Sequence, residues 1–300
     1  MWKPDLCIYH GNCDDGFGAA WAIWRRWGYE VAYVPGVYGK DPVGVEGRNV
    51  LMVDFSYKRP VIDAMAQVAK SIVIIDHHKT AEADLAPFIF KPGKEVDHAV
   101  RAENVDDLLG YNAMSGWPPV IAWFDMQQSG ARMAWDFAHH IPHNDPPPNL
   151  ISLIEDRDLW RFSYGDRTKR FSAALRTYPM TFETWNEMAC RVDDLVAEGE
   201  SILRAHNANI QKFIADAYWD YVGGYFVPVV NVPYHYASDV AHAMLSQFHE
   251  AAFTACWFRR GDGMIQWSLR SEDGRMDVSE IAKKLGGGGH RNAAGFQVKV

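Results

Sequence analysis

The chain has 300 residues, of which 48% are hydrophobic and 23% charged, so it is large enough for one big globular domain or two smaller ones. No apolar run is long enough to span a bilayer, and the N-terminal residues lack a secretory signal pattern. The four cysteines show no CxxC spacing, which excludes a zinc finger or disulfide scaffold and predicts a reducing, cytoplasmic location.

The net charge of −8 argues against partners that are long duplexes or anionic membranes. Residues 226–300 are nearly balanced in charge, so the excess negative charge lies in residues 1–225. Any phosphate compound that this protein handles is therefore expected to be short, or to be met by metal ions.

The first part of the chain alternates short β-rich runs with helical stretches. The predicted strands are Leu6–Tyr9, Val31–Val34, Val50–Val53 and Ser71–Ile75, and the helices between them are Gly18–Trp27 and Pro60–Ala69. Such alternation predicts a mainly parallel sheet with helices on both faces.

The next segments are less regular. We expect an irregular polar stretch over Lys91–Pro119, a helix opening at Ser129-Gly130 whose amides could meet an anion, a Pro-rich loop over His143–Pro148, and a helix over Leu150–Glu155. Apolar residues then recur at helical spacing over Phe182–Ala217, with Gly199 as a candidate bend. Strands return at Tyr225–Val230, Phe253–Phe258 and Met264–Arg270.

This pattern predicts an α/β protein with a first domain over residues 1–182, a helical connector over 183–222 and a smaller α/β domain over 223–300.

Acidic and imidazole side chains follow three of the predicted strands. Asp14 and Asp15 lie just past His10, Asp54 follows the third strand, and Asp76-His77-His78 follows the fourth. Ligands of parallel sheets bind at the carboxyl ends of the strands, so these groups should converge. Oxygen and nitrogen ligands favour Mn²⁺, with Mg²⁺ or Zn²⁺ as alternatives.

The same segments resemble the DHH phosphoesterase family. HGNCDDG at 10–16, VDFS at 53–56 and IDHH at 75–78 match the first three motifs in order, and LIEDRDLW at 153–160 resembles the fourth. SLRS at 268–271, followed by GGGGHRNAAGF at 286–296, resembles the DHH-associated C-terminal domain. The resemblance covers nearly the whole chain, and the closest layouts are those of nanoRNases and RecJ-like exonucleases.

The resemblance implies two divalent ions in the first domain. The implied metal ligands are His10, Asp14, Asp15, Asp54, His77 and Asp156. Asp54 would bridge both ions, His78 would face the scissile phosphate, and Asp76 would orient its neighbours, which makes these three the implied catalytic residues. Two ions roughly 3.5–4 Å apart stabilise the attacking and leaving oxygens, so hydrolysis needs no protein nucleophile.

The first motif departs from the family pattern of two Asp residues separated by one position. Asp15 precedes a glycine as expected, but Cys13 stands two positions earlier and Asp14 is an extra carboxylate. Either Asp14 or Cys13 fills the second ligand position, and a Cys13 thiolate would favour Zn²⁺.

The fourth motif also offers two carboxylates. Alignment on Trp160 favours Asp156 as the ligand and leaves Asp158 to pair with an arginine or cap a turn.

The glycine-rich tail is implied to hold the far end of the substrate. Glycines let backbone amides approach a phosphate closely, and polar side chains nearby can donate hydrogen bonds to it. The implied binding residues are Arg270, Ser271, Gly287, Gly288, Gly289, His290, Arg291 and Asn292.

The expected function is hydrolysis of short single-stranded RNA or DNA oligonucleotides, or dinucleotides, from one end to mononucleotides. By the resemblance it runs 3′ to 5′. A second hypothesis is hydrolysis of another phosphate compound: a cyclic dinucleotide, 3′-phosphoadenosine 5′-phosphate or polyphosphate. A third is a non-catalytic nucleotide sensor with a decayed site. The sequence leaves an oligomeric state open.

Overall fold

The computed structural model describes residues 1–90, 100–139 and 146–299. Contacts divide the chain into two compact units, residues 1–202 and residues 203–300. None of the helices in the described ranges combines the length and hydropathy that crossing a bilayer requires.

The first unit is built on a five-stranded parallel sheet. Its strands are β1 (Leu6–His10), β2 (Ala32–Gly36), β3 (Asn49–Val53), β4 (Ser71–Asp76) and β5 (Val120–Phe124), in the order β2-β1-β3-β4-β5. The predicted α/β class is confirmed, and all four predicted strands are present.

Nine helices accompany this sheet in the described part of the chain. They are α1 (Asp14–Trp27), α2 (Arg59–Met65), α3 (Lys79–Asp84), α4 (Val105–Met114), α5 (Gly130–Ala138), α6 (Asn149–Asp158), α7 (Asp166–Leu175), α8 (Phe182–Ala189) and α9 (Val192–Ala215). Alternate strand residues point to opposite faces, so Leu51 packs with Ile23 and Met133 on one side while Met52 packs with Ile62 on the other. Helices therefore cover both faces of the sheet.

The expectation of an irregular stretch over Lys91–Pro119 was wrong for its second part. Residues 105–114 form α4, which buries Val105 and Leu108, and β5 follows directly at Val120. The hydrophobic periodicity of α4 is weak because Asp, Asn and Gly residues interrupt it. Residues 91–99, and residues 140–145 with the first three residues of the loop predicted over 143–148, lie outside the described residues.

Gly199 lies within α9, which continues unbroken from Val192 to Ala215. A Cβ at Gly199 would stand only 1.9 Å from the carbonyl oxygen of Arg170 in α7. The glycine therefore allows α9 to lie close to α7. It does not bend the helix, as the sequence had suggested.

The second unit is built on a six-stranded mixed sheet. Its strands are β6 (Tyr218–Val222), β7 (Tyr225–Asn231), β8 (Thr254–Arg259), β9 (Met264–Arg270), β10 (Gly288–His290) and β11 (Ala293–Lys299), in the order β10-β11-β9-β8-β7-β6. Only β7 and β8 run parallel among these described strands. Helices α10 (Ala237–Gln247) and α11 (Val278–Lys284) pack on the sheet.

The predicted connector over 183–222 is helical through α8 and α9, and its last five residues form β6. The contact division falls inside α9, between Ile202 and Leu203, so the helix belongs to both units. The boundaries that the sequence suggested remain a proposal.

We predict that Gly199→Ala lowers the free energy of unfolding by about 1–3 kcal/mol, because the added methyl group meets a backbone carbonyl that cannot move aside. The matched control is Gly110→Ala in α4, where no atom lies within 4 Å of the added Cβ. That change should stabilise the protein by up to about 1 kcal/mol, the usual preference of a helix for alanine. Urea denaturation measures both variants, and equal stabilisation of both would contradict the close packing at Gly199.

Candidate metal centre

The carboxyl ends of β1, β3 and β4 carry the predicted acidic and imidazole residues. His10 ends β1, Asp54 directly follows β3, and His77 directly follows the last residue of β4. Gly16 allows the start of α1 to lie against the end of β1, because a Cβ there would be 2.2 Å from the carbonyl oxygen of His10. Asp15, at the start of that helix, is thereby brought to the same edge of the sheet.

Asp54 lies at the centre of this group. Its Oδ1 is 3.1 Å from Nε2 of His77, and its Oδ2 is 3.4 Å from Nδ1 of His10. Two sets of three potential ligands contain it, one with Asp15 and His77 and the other with His10 and His78. Asp54 is only 1% exposed and has a φ of 53°, a left-handed conformation that a non-glycine residue rarely adopts.

The N-terminus of α5 holds Asp15. The backbone amide of Gly130 donates to one carboxylate oxygen at 2.7 Å, and that of Ala131 donates to the other at 3.0 Å. The anion expected at this helix start is thus a side chain of the protein itself. Gly130 must be glycine, since a Cβ would lie 2.3 Å from the Cβ of Asp54.

The fourth motif contributes Asp158, the last residue of α6. Its Oδ2 is 3.6 Å from Nε2 of His77. Asp156 lies elsewhere: it accepts hydrogen bonds from the amide of Ser163, at 2.7 Å, and from the hydroxyl of Thr168. The structure therefore places Asp158 among the candidate ligands and gives Asp156 a role in fixing the loop after α6, the reverse of the sequence-based choice.

Two residues near this loop explain why alignment on Trp160 misled. Trp160 and Phe162 both adopt left-handed backbone conformations, with φ values of 56° and 49°. The guanidinium of Arg157 lies 4.2 Å from the Trp160 ring centroid. The aromatic residue is thus part of an unusual turn, and its spacing from an aspartate does not report which carboxylate faces the cluster.

The positions of the two side chains favour Cys13 over Asp14 as the second ligand of the first motif. Asp14 pairs with Arg176 at 2.7 Å and belongs to neither set of three ligands. The thiol of Cys13 hydrogen-bonds the His10 side chain, and its pKa is raised to about 11 by burial, an effect that His10 opposes. Asp14 was predicted as a metal ligand, and the structure does not bring it to the cluster.

Asp76 belongs to none of the sets of three potential metal ligands among the described residues. It forms hydrogen bonds with the groups around it instead. Its Oδ1 lies 2.6 Å from Nδ1 of His78 and accepts the amide of His77 at 2.8 Å. Its Oδ2 accepts the hydroxyl of Ser56 at 2.9 Å. The arrangement fixes the orientation of the His78 ring and of the peptide that carries His77.

Burial raises the pKa of Asp15 well above its usual range, and the negative charges of Asp158 and Asp54 raise it further. Burial also raises the pKa of Asp158, although His77 opposes the shift. For Asp54, burial would raise the pKa, but the nearby imidazoles of His10 and His77 outweigh it and hold the pKa below its usual range. Carboxylates that repel one another at a buried site are stabilised by a nearby cation.

The residues present fit a divalent cation. Asp54 Oδ2 is buried, and among the described residues it has no hydrogen-bond donor of good geometry. The oxygen and nitrogen donors of Asp15, Asp54 and His77 lie within 4.8 Å of one another, as do those of His10, Asp54 and His78. Such donor sets suit Mn²⁺, Mg²⁺ or Zn²⁺.

The predicted substrate-binding residues of the second unit lie around β9, β10 and β11. Gly288, Gly289 and His290 form β10 and pair with Gly295, Ala294 and Ala293 of β11, so the glycine-rich segment is a strand and not an open loop. A Cβ at Gly287 would be 2.0 Å from the carbonyl oxygen of Gly295. Close strand packing therefore requires glycine there, whatever the segment binds.

Several of the other predicted residues already have partners. Arg270 donates to Ser238 Oγ at 2.6 Å and to the carbonyl of Leu269 at 2.9 Å. Arg291 lies 3.7 Å from Asp277 and is exposed.

Ser271 and Asn292 retain unused polar atoms. The amide of Ser271 donates to the carbonyl of Asn292 at 2.9 Å. The hydroxyl of Ser271 and the side-chain oxygen of Asn292 are buried without a hydrogen bond among the described residues. They are the least satisfied groups of the predicted substrate-binding set.

Comparison with known proteins matches residues 224–300 to the DHHA1 domain family. The chain is 28% identical over 322 residues to the uncharacterized protein R106 of Acanthamoeba polyphaga mimivirus, covering 98% of this chain and 67% of the viral protein.

Among solved structures, the DHH domain of a protein described as belonging to a family of ribosomal proteins is similar, with a TM-score of 0.50 and 12% identity over 98% of this chain and 82% of the other. RecJ from Thermus thermophilus, solved with Mn²⁺, has a TM-score of 0.46 and 15% identity over 99% of this chain and 50% of RecJ.

The protein is thus a two-unit α/β protein with a carboxylate–imidazole cluster at the carboxyl edge of a parallel sheet. Residues 224–300 match the DHHA1 domain family, and the ordered motifs around Asp54 and His77 resemble those of the DHH phosphoesterase family.

We predict that Asp158→Asn weakens Mn²⁺ binding by at least about tenfold, because it removes a charge from the cluster. Asp156→Asn is the matched comparison: it should lower the free energy of unfolding by about 1–3 kcal/mol and alter Mn²⁺ affinity less, because its carboxylate holds the loop after α6. Titration calorimetry and thermal unfolding separate the two effects. Loss of Mn²⁺ binding in Asp156→Asn alone would restore the sequence-based assignment.

Proposed function

We propose that this protein is a two-metal phosphodiesterase that hydrolyses short single-stranded oligonucleotides from one end to nucleoside monophosphates. The observation that carries the proposal is the position of Asp54, which belongs to two candidate ligand groups, with His77 beside its Oδ1 and His10 beside its Oδ2. A single carboxylate shared in this way is what a pair of adjacent cations requires.

We assign the cluster residues to two cation positions. Asp15, Asp54 and His77 form the first position, with Asp158 3.6 Å from Nε2 of His77. His10 lies beside the other oxygen of Asp54, with Cys13 next to it, and marks the second position. Mn²⁺ is the proposed ion, since most donors are carboxylate or imidazole and the one thiol near them has a raised pKa.

Two bound cations supply Lewis acidity, which neutralises phosphate charge and makes a water molecule nucleophilic near neutral pH. The protein's own groups position the reaction. Gly130 and Ala131 hold Asp15 through their amides, so the carboxylate cannot rotate away. Asp76 fixes the ring of His78, which we assign to a hydrogen bond with the phosphate that is cleaved.

The second unit is proposed to bind the far end of the substrate through the β10–β11 hairpin and the buried polar atoms of Ser271 and Asn292. An enzyme that holds one end of its substrate cleaves near an end, which supports the release of mononucleotides. The direction 3′ to 5′ is part of the proposal. The negative net charge supports short substrates, because binding of long strands generally uses a basic track.

The test is a time course with Mn²⁺ on a 5′-labelled RNA dinucleotide, a pentanucleotide and a long RNA, with a cyclic dinucleotide, 3′-phosphoadenosine 5′-phosphate and polyphosphate in parallel. We expect fast conversion of the two short RNAs to mononucleotides and slow conversion of the long one. Stepwise digestion of the long RNA at an equal rate would contradict the preference for short substrates. Hydrolysis of only the small phosphate compounds would move the function to that class, and binding without turnover under every divalent metal would indicate a sensor.

We predict that Asp54→Ala abolishes metal-dependent hydrolysis of the dinucleotide, because no other carboxylate among the described residues belongs to both ligand groups. The control is Asp14→Asn, which removes a carboxylate paired with Arg176 outside both groups and should retain most activity. Circular dichroism checks that both variants fold. Activity of Asp54→Ala above a few per cent of the wild-type value would rule out the two-metal arrangement.

We also predict that His290→Ala raises KM for the dinucleotide more than it weakens Mn²⁺ binding, because His290 belongs to neither of the two ligand groups that contain Asp54. Steady-state kinetics and metal titration measure the two quantities on the same preparation. An unchanged KM would remove His290 from the proposed substrate-binding set.

A further inference from the structure

The sheet of the second unit carries a row of aromatic side chains on the face that α11 covers only in part. Val278, Ile281 and Ala282 of α11 pack over Ala255, Leu269 and Ala294. The next residues on that face, one alternation further along their strands, are Trp257 on β8, Trp267 on β9 and Phe296 on β11.

These three aromatic residues are direct neighbours across the sheet. Trp257 pairs with Trp267, and Trp267 pairs with Phe296, with ring centroids 6.3 Å and 5.8 Å apart. The row extends to the edge strand through Tyr218, whose hydroxyl accepts a hydrogen bond from the indole of Trp257 at 3.1 Å. Tyr218 is 46% exposed and both tryptophans are half-buried, so part of the row meets solvent.

The inner end of the row touches the glycine-rich segment. A Cβ at Gly287 would be 2.7 Å from the Cβ of Phe296, so the backbone at Gly287 lies directly against this ring's strand. At the outer side, the exposed Arg259 is the next residue beyond Trp257 on the same face. Aromatic rings with a cation beside them match what a short single strand presents, namely flat bases and phosphates.

We propose that Tyr218, Trp257 and Trp267, supported by the buried ring of Phe296, form a stacking surface for the bases of a single-stranded oligonucleotide. The inference rests on the proposed function and adds to it a reason for binding more than the terminal nucleotide. This accessible part of the row crosses three strand spacings, or about 14 Å. Stacked nucleotides rise about 3.4 Å each, so the row accommodates a strand of several residues.

Substitution of the two tryptophans tests the row. In Trp257→Leu/Trp267→Leu, leucine keeps an apolar side chain on the sheet but removes the flat ring. The matched control is Trp117→Leu in the first unit, where the tryptophan is 53% exposed. Calorimetric titration in Mn²⁺ with phosphorothioate-linked dinucleotide and pentanucleotide, which resist hydrolysis, gives the two affinities for each protein.

We expect the wild-type protein to bind the pentanucleotide at least about fivefold more tightly than the dinucleotide, since each stacked base adds to the affinity. The double variant should lose this advantage and keep the dinucleotide affinity and hydrolysis rate, whereas Trp117→Leu should match the wild type. If the double variant does not fold, Tyr218→Ala at the exposed end of the row should still reduce the advantage.

Three results would overturn the stacking surface. The first is equal affinity of the wild-type protein for the dinucleotide and the pentanucleotide. The second is an unchanged preference for the pentanucleotide in the variants. The third is a shift from dimer to monomer in the double variant, measured by light scattering, which would make the row a self-association face. In each case a dinucleotide that is still hydrolysed leaves the proposed function intact. A wild-type protein that neither binds nor cleaves any oligonucleotide would refute the proposed function together with the row.

Discussion

The structure of the first unit depends on holding several carboxylates together where water is excluded. Asp15 and Asp54 are each 1% exposed, and Asp158 approaches the same imidazole. Burying charges of one sign costs several kcal/mol per ion unless they are compensated. The protein supplies part of the compensation through two backbone amides at the start of α5 and through His10 and His77. Burial and the neighbouring carboxylates still raise the pKa of Asp15, so this compensation is incomplete, and a divalent cation would complete it.

Close approach of backbones makes this concentration of charge possible. Gly16 lets α1 lie against the end of β1, and Gly130 lets α5 reach Asp54. Asn12, Asp54 and Trp160 hold left-handed conformations in three loops that border the cluster. Residues held in such conformations cost roughly 1–3 kcal/mol each and persist where the surrounding packing determines them. The site is therefore kept in place by neighbouring helices and strands that leave little freedom for its loops.

The sequence predicted the parts of this arrangement that local pattern determines. Alternating β-rich and helical runs predicted the parallel sheet, and acidic residues after successive strands predicted where the cluster lies. Asp158 could not be chosen over Asp156 because the turn at Trp160 depends on long-range packing that a spacing rule does not contain. Helix α4 escaped prediction because only Val105, Leu108 and Asn112 are buried in it, too few to give a helical period. The sequence suggested a bend at Gly199 because it does not show that the backbone carbonyl of Arg170 lies directly against this glycine.

On the proposed function, the charge distribution of the two units bears on how a polyanion is bound. The first unit carries the excess negative charge, so its attraction for phosphate would have to come from cations held in the cluster, which act over a short range. The second unit is nearly balanced in charge, and its aromatic row would offer contact with bases that involves no ion release. A long strand would gain little over a short one, because its remaining phosphates would meet a negative surface. The proposed preference for short substrates would then follow from the charge distribution itself, without a steric gate.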